Sequence, residues 1–275
     1  MRGFGWVPVR GVHVLSRAGY LAGSDVERLA DLQWALDDPA IDAVWCVRGG
    51  YGMTRILSRL TLDAFSVRPK PVIGYSDVTA LHCAIAARTN VVSFHTHTAR
   101  AELPSLSRAS LAAAVMRVGE PCGVWPAAVP VREGRAVGRL VGGNLALLAA
   151  LCGTPDGMRA EGAIVILEDV NEAAYRVDRM LRQLEASGSF RGCVGLAVGQ
   201  FTLVAADENP DALSVDALIA DLADRLGVPC LANVPIGHIV DQWTVPLGAD
   251  ALLDVENRAL TVIPPDASQS TPTIA

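Results

Sequence analysis

Residues 72–82 read Val72-Ile73-Gly74-Tyr75-Ser76-Asp77-Val78-Thr79-Ala80-Leu81-His82. A short apolar run, set off by Pro69 and Pro71, meets a serine and then a helical stretch reaching residue 87. Working outward, the same alternation recurs. Ser24-Asp25-Val26-Glu27 is a capping box, in which Ser24 accepts from the Glu27 amide while Glu27 reaches back. The helix it opens carries Leu29, Leu32 and Leu36 and stops before Pro39. Residues 41–47 read as a buried strand ending at Arg48-Gly49-Gly50-Tyr51-Gly52, residues 53–60 as a helix and residues 91–94 as a strand. Strands alternating with helices imply parallel pairing, with chemistry at the carboxyl ends of the strands.

Between residues 119 and 134 the pattern breaks around Pro121, Pro126 and Pro130. This divides the chain into an N-terminal domain (1–118), a linker (119–135), a C-terminal domain (136–265) and a loose tail (266–275). The second half opens with a strand near 137–141, Gly142-Gly143-Asn144 and an apolar helix to Leu151. A buried strand over 163–167 runs into Glu168-Asp169, and a helix follows over 175–185. A strand over 194–203, a helix over 215–226 and short strands near 244, 251–255 and 260–263 close the domain.

Composition narrows the function. Apolar residues are 51% and charged residues 19%, enough for a sizeable core. With 29 acidic against 23 basic side chains and a net charge of -6, a nucleic-acid surface is not expected. No apolar run has the length of a membrane span and no signal-peptide core follows Met1, so a soluble cytoplasmic chain is expected. The cysteines form no C-x-x-C pair, and neither zinc nor disulfides are expected.

A serine after a strand and before a helix is the context of a nucleophile elbow. The pattern lacks the second glycine of G-x-S-x-G, since Val78 stands there, and on these residues alone Ser76 reads more readily as a helix cap. The glycines at 49–52 let backbone N–H groups approach an oxyanion, although a tight turn explains them too. Of five histidines, His82 reads as a core residue, and His95 and His97 share one side of an extended segment without a third metal ligand. His238, in Pro235-Ile236-Gly237-His238, is a loop histidine that can face Ser76 across a cleft. Glu168, Asp169 and Glu172 compete to orient it. Glu168 is the first polar residue after a buried run, whereas Asp169 suits helix capping.

Together these segments resemble the LD-carboxypeptidase family of serine peptidases (peptidase family S66), which includes murein tetrapeptide carboxypeptidases and microcin C immunity peptidases. The matching pieces are Ala22-Gly23-Ser24-Asp25, Val47 to Gly52, Gly74 to His82, Gly142-Gly143-Asn144-Leu145 and Gly153-Thr154-Pro155. They continue with Ile166 to Glu172, Tyr175 to Leu181, Gly237-His238 and Val245-Pro246-Leu247-Gly248-Ala249. The resemblance implies a flavodoxin-like N-terminal domain joined to a C-terminal α/β domain, with the active site in the cleft between them, usually in a homodimer. It assigns the nucleophile to Ser76, the base to His238 and its orienter to Glu168, with oxyanion donors at the Asp77 and Gly50 amides. It implies no metal or organic cofactor and a muropeptide substrate that loses its terminal D-alanine during peptidoglycan recycling. A microcin-type amide and a non-catalytic binding role are the alternatives. Two features depart from the family. Its members start with a strand ending in a P-S turn, whereas Met1 enters within the helix that follows, so the expectation is that the natural chain begins upstream. Phe94-His95-Thr96-His97 stands where a Gly-Pro pair is usual.

Overall fold

The computed structural model describes residues 4–99, 102–203 and 213–264; the tail expected over 266–275 lies outside them. Helix α1 (Asp25–Asp37) begins at the capping box, with Glu27 N donating to Ser24 Oγ at 3.3 Å and Ser24 N to Glu27 Oε2 at 2.7 Å. It ends before Pro39, because the residue preceding a proline disfavours helical geometry. Strand β1 (Val44–Trp45) is shorter than the apolar run suggests. Helix α2 (Asp63–Val67) leads to β2 (Val72–Gly74), followed by α3 (Thr79–Thr89), β3 (Ser93–His95) and α4 (Ser105–Met116).

Strands β4 (Gly123–Val124), β5 (Val129–Arg132) and β6 (Arg135–Asn144) precede α5 (Leu145–Ala150) and β7 (Ala163–Val170). Next come α6 (Ala174–Ala186), β8 (Gly195–Thr202), α7 (Val215–Leu226) and β9 (Cys230–Ala232). The last strands are β10 (Val245–Leu247), β11 (Asp250–Asp254) and β12 (Ala259–Val262).

These strands form two sheets. The smaller, ordered β1-β2-β3-β10, is parallel except for β10, and β1 pairs directly with β2 through Val44–Val72 and Trp45–Ile73. The larger is ordered β4-β12-β11-β6-β7-β8-β9-β5, with β6 to β9 parallel. The fold is therefore mixed α/β in two domains, as expected.

Details differ from the sequence reading. The stretch read as a linker carries β4 and β5, the two edge strands of the larger sheet. Strand β10, read as closing the second domain, instead joins the first sheet, pairing Val245 with His95 and Leu247 with Ser93. The helix expected over 53–60 is two 3₁₀ turns, Met53–Arg55 and Leu57–Arg59. Tertiary bonds hold the two ends of this segment: Met53 N donates to Asp77 Oδ2 at 2.9 Å, and Arg88 donates to the Leu57 and Leu60 carbonyls.

Strand β7 is the centre of the molecule. Ala163 to Leu167 are fully buried, with Val165 and Leu167 facing a core of α3, α5, α6 and α7 and Ile164 and Ile166 facing Trp243, Val245 and Leu253. Burial on both faces explains a continuous apolar run in place of alternation. It also fixes β7 so firmly that a side chain at its carboxyl end has a defined position.

Arg88 ties the halves together. Its Nε donates to Asp156 Oδ1 at 2.7 Å while its other nitrogens serve Leu57 and Leu60. Asp156 is 6% exposed, so truncating Arg88 strands a nearly buried carboxylate. Arg88→Ala is expected to cost about 2–4 kcal/mol, read as a lower urea midpoint at unchanged slope. A loss within experimental error would show that the pair only decorates the surface.

Candidate active site

Ser76 follows β2 with φ 63°, in the left-handed region that non-glycine residues seldom occupy. Such strain persists only where the surroundings impose it. Here Gly49 packs against the turn: a Cβ at Gly49 would lie 2.8 Å from Ser76 Cβ and 3.1 Å from its Oγ. No side-chain cap bond forms at this turn, which sets aside the reading of Ser76 as a helix cap. Ser76 Oγ makes no hydrogen bond among the described residues and is only partly buried. The Asp77 carboxyl accepts from Met53 N, which ties the serine turn to the end of the glycine loop. Gly50 has φ 111°, and its N–H is unused among the described residues.

Glu168 lies within β7, two residues before the strand ends at Val170. A register shift places Gly199 and Gln200 of β8 opposite it, and such a bulge re-aims a side chain. The loop carrying His238 is fastened to the same spot. Gln200 N donates to Ile236 O at 2.9 Å, and Val234 N donates to Val198 O. Gly237, at φ 115°, brings the loop onto the carboxylate: a Cβ there would lie 2.9 Å from Glu168 Oε2. The result is a bond of 2.8 Å between His238 Nδ1 and Glu168 Oε2. A carboxylate accepts, so Nδ1 carries the proton and Nε2 presents its lone pair.

Burial opposes the charge on Glu168, which is fully buried, but bonding to His238 and the proximity of His95 hold its pKa down to about 2. It is a carboxylate at neutral pH. Asp169 differs: burial raises it to about 6 against three donors, Asn144 Nδ2 at 2.9 Å, Ala146 N at 2.9 Å and Val170 N at 2.8 Å. Ala146 N belongs to the first turn of α5, so Asp169 satisfies the start of a helix far back in the chain and not of the helix that follows it. Glu172 points elsewhere, 3.6 Å from Arg176 Nη1.

Thus Glu168 and His238 are in direct contact. Ser76 and His238 are linked through Tyr75, whose ring centroid is 4.8 Å from that of His238; no hydrogen bond joins Ser76 to His238. An apo site commonly closes that bond only when substrate arrives.

Sequence reasoning left the other histidines without roles. His82 Nε2 donates to Gly74 O at 2.9 Å and Nδ1 accepts from Ser93 Oγ at 2.9 Å; burial lowers its pKa to about 3, so it is a neutral strut. His97 and His95 do not form a pair. His97 Nε2 meets the Val240 carbonyl at 3.0 Å, while Nδ1 accepts from Gln242 Nε2 at 3.1 Å, which ties down the segment just after His238. His95 instead reaches toward Glu168. Among the described residues no group of His, Cys, Asp and Glu could hold a metal ion, and no helix is long and apolar enough to cross a membrane.

A serine at a strained turn with Gly49 packed against it, and an imidazole bonded to a buried carboxylate, suit acyl transfer to a serine. Known proteins share the framework. Residues 1–96 match the LD-carboxypeptidase N-terminal domain and residues 137–253 the LD-carboxypeptidase C-terminal domain. A Streptomyces coelicolor relative is 40% identical over 275 residues, covering 95% of this chain and 86% of its own. The murein tetrapeptide carboxypeptidase of Pseudomonas aeruginosa is 35% identical over 256 residues, covering 89% of this chain and 82% of its own. The crystal structure of muramoyltetrapeptide carboxypeptidase from Oxalobacter formigenes superimposes with TM-score 0.81 at 29% identity, over 90% of this chain and 86% of that one.

Proposed function

The chain belongs to the LD-carboxypeptidase family, and on that premise we propose that it is a serine peptidase that removes the terminal D-alanine from murein tetrapeptide. The observation that carries the mechanism is the His238–Glu168 bond of 2.8 Å beside the strained Ser76 turn. In this reading Ser76 Oγ attacks the carbonyl between an L-centre and D-alanine while His238 Nε2 takes its proton. The Asp77 and Gly50 amides receive the oxyanion, and Glu168 stabilises the imidazolium. The C–N bond then breaks as His238 protonates the leaving amine, and D-alanine departs. Water, deprotonated by His238, attacks the acyl-enzyme and releases the tripeptide. Hydrolysis closes without a redox partner or metal. Recovery of turned-over cell-wall peptides in the cytoplasm is the setting that suits such a substrate.

The test is incubation with purified murein tetrapeptide, followed by mass spectrometry and chiral analysis of the released amino acid. Tripeptide plus D-alanine is the expected result. An intact tetrapeptide alongside cleavage of a peptidyl-nucleotide amide would move the reading to a microcin-type amidase. Inertness toward both would leave a binding protein.

A further inference from the structure

One polar contact near the triad is incomplete. Glu168 uses Oε2 for His238, but among the described residues its Oε1 has no hydrogen-bond partner, and neither ring nitrogen of His95 has one. Both side chains are fully buried, and His95 Nε2 lies 3.6 Å from Glu168 Oε1, just beyond bonding distance. Buried polar atoms are rarely left unpaired, because water is not there to replace the lost partner. Two orphaned atoms that face each other, Glu168 Oε1 and His95 Nε2, therefore point to a bond that a small adjustment completes.

The surroundings fix which atoms meet. His95 ends β3, between Gly74 of β2 and Val245 of β10, so its backbone is held on both sides. Its ring packs edge-on against Tyr75 with centroids 6.1 Å apart and lies 6.4 Å from the ring of His82. A Cβ at Gly143 would sit 3.3 Å from His95 Cδ2, so β6 closes a further side. The ring has little room to turn away, and Nε2 is the nitrogen aimed at the carboxylate.

We propose that His95 is a positioning residue of the hydrolase, its Nε2–H donating to Glu168 Oε1 so that two imidazoles clamp the carboxylate and aim Oε2 at His238. The proposal rests on the serine-triad reading above. With Oε1 anchored, the carboxylate cannot rotate away from His238, and the bond stabilises its ionised form. Removing the donor leaves a less stabilised carboxylate, which either binds a proton itself or holds the proton on His238 more tightly. Both routes make the pair protonate at higher pH. The other titratable groups facing the pair among the described residues are Tyr75 from the serine turn, His82 from α3 and Asp169 from β7. His82 has both nitrogens bonded, and the Asp169 carboxyl is engaged with three donors.

The experiment is the pH profile of kcat/KM on murein tetrapeptide for wild type, His95→Met and His95→Gln, each normalised by active-site titration with a serine-directed fluorophosphonate. His95→Met is expected to move the acid limb upward by about one pH unit, the shift that loss of a charge-assisted hydrogen bond produces. KM should stay unchanged, because a fully buried side chain does not touch substrate. His95→Gln, whose amide nitrogen reaches the Nε2 position, should restore the limb. Should His95→Met fail to fold, His95→Asn, too short to reach Oε1, replaces it in the comparison. An acid limb that stays put in the apolar or short variant, or moves equally in His95→Gln, overturns the proposal. Ser76→Ala separates the two levels of the argument. If that variant still hydrolyses substrate, the triad reading falls; if it is dead while the limb ignores His95, only this inference falls.

Discussion

Ser76→Ala is expected to fold normally and lose hydrolysis by about 10⁴–10⁶-fold, the usual cost of deleting a nucleophile from a triad. The structure sharpens the stability half of this expectation. Ser76 Oγ bonds to nothing among the described residues, and no cap depends on it, so the melting temperature should stay within the scatter of a neutral surface change, about 0.5 kcal/mol. The backbone adds an independent check. At φ 63° any Cβ is strained, and alanine keeps that strain while glycine relieves it. Ser76→Gly should therefore be more stable than Ser76→Ala by about 1 kcal/mol and equally inactive. A stabilised, dead variant is the signature of strain held for function. Hydrolysis by Ser76→Ala near the wild-type rate would move the nucleophile elsewhere.

The features that sequence reasoning reached are those fixed by neighbours along the chain. The capping box at Ser24, the doubly buried run of β7 and the strand–serine–helix turn each declare themselves within a few residues. What it missed depends on partners far away. Helix α4 has no side-chain cap, and Pro104 before it gives only a weak start signal. Residues 53–60 have helical spacing but form two 3₁₀ turns, whose ends are held by Asp77 and Arg88 from elsewhere in the chain. The short β10 reads the same whichever sheet accepts it; its backbone pairs with β3 while Trp243, Val245 and Leu247 are buried in the core of the larger sheet. At the site, the Glu168–His238 contact was anticipated by resemblance. The bulge that aims Glu168 and the orphaned His95 were not, because each arises where two strands meet. One signal for His95 was available: it ends a parallel strand in the same sheet as the serine turn.

Glu168→Gln should lower turnover by roughly 10⁴-fold, whereas Asp169→Asn should stay within about tenfold of wild type. The two acids are neighbours in sequence, so the contrast isolates role from location. Glutamine keeps the size of Glu168, but its carbonyl carries no charge to stabilise the imidazolium that forms as Ser76 attacks. Its amide can also turn an NH₂ toward His238 Nδ1, which favours the tautomer with the proton on Nε2 and removes the base. Asp169 works on the backbone instead, accepting from Asn144, Ala146 and Val170. Asparagine retains one acceptor oxygen and turns an NH₂ toward at least one of those donors, so Asp169→Asn should cost about 1–2 kcal/mol of stability rather than turnover. Steady-state kinetics and thermal melts on both variants give two independent rankings. Glu168→Gln should lead in lost activity and Asp169→Asn in lost stability. If the kinetic order reverses, the carboxylate that supports His238 during catalysis lies one residue further along the chain.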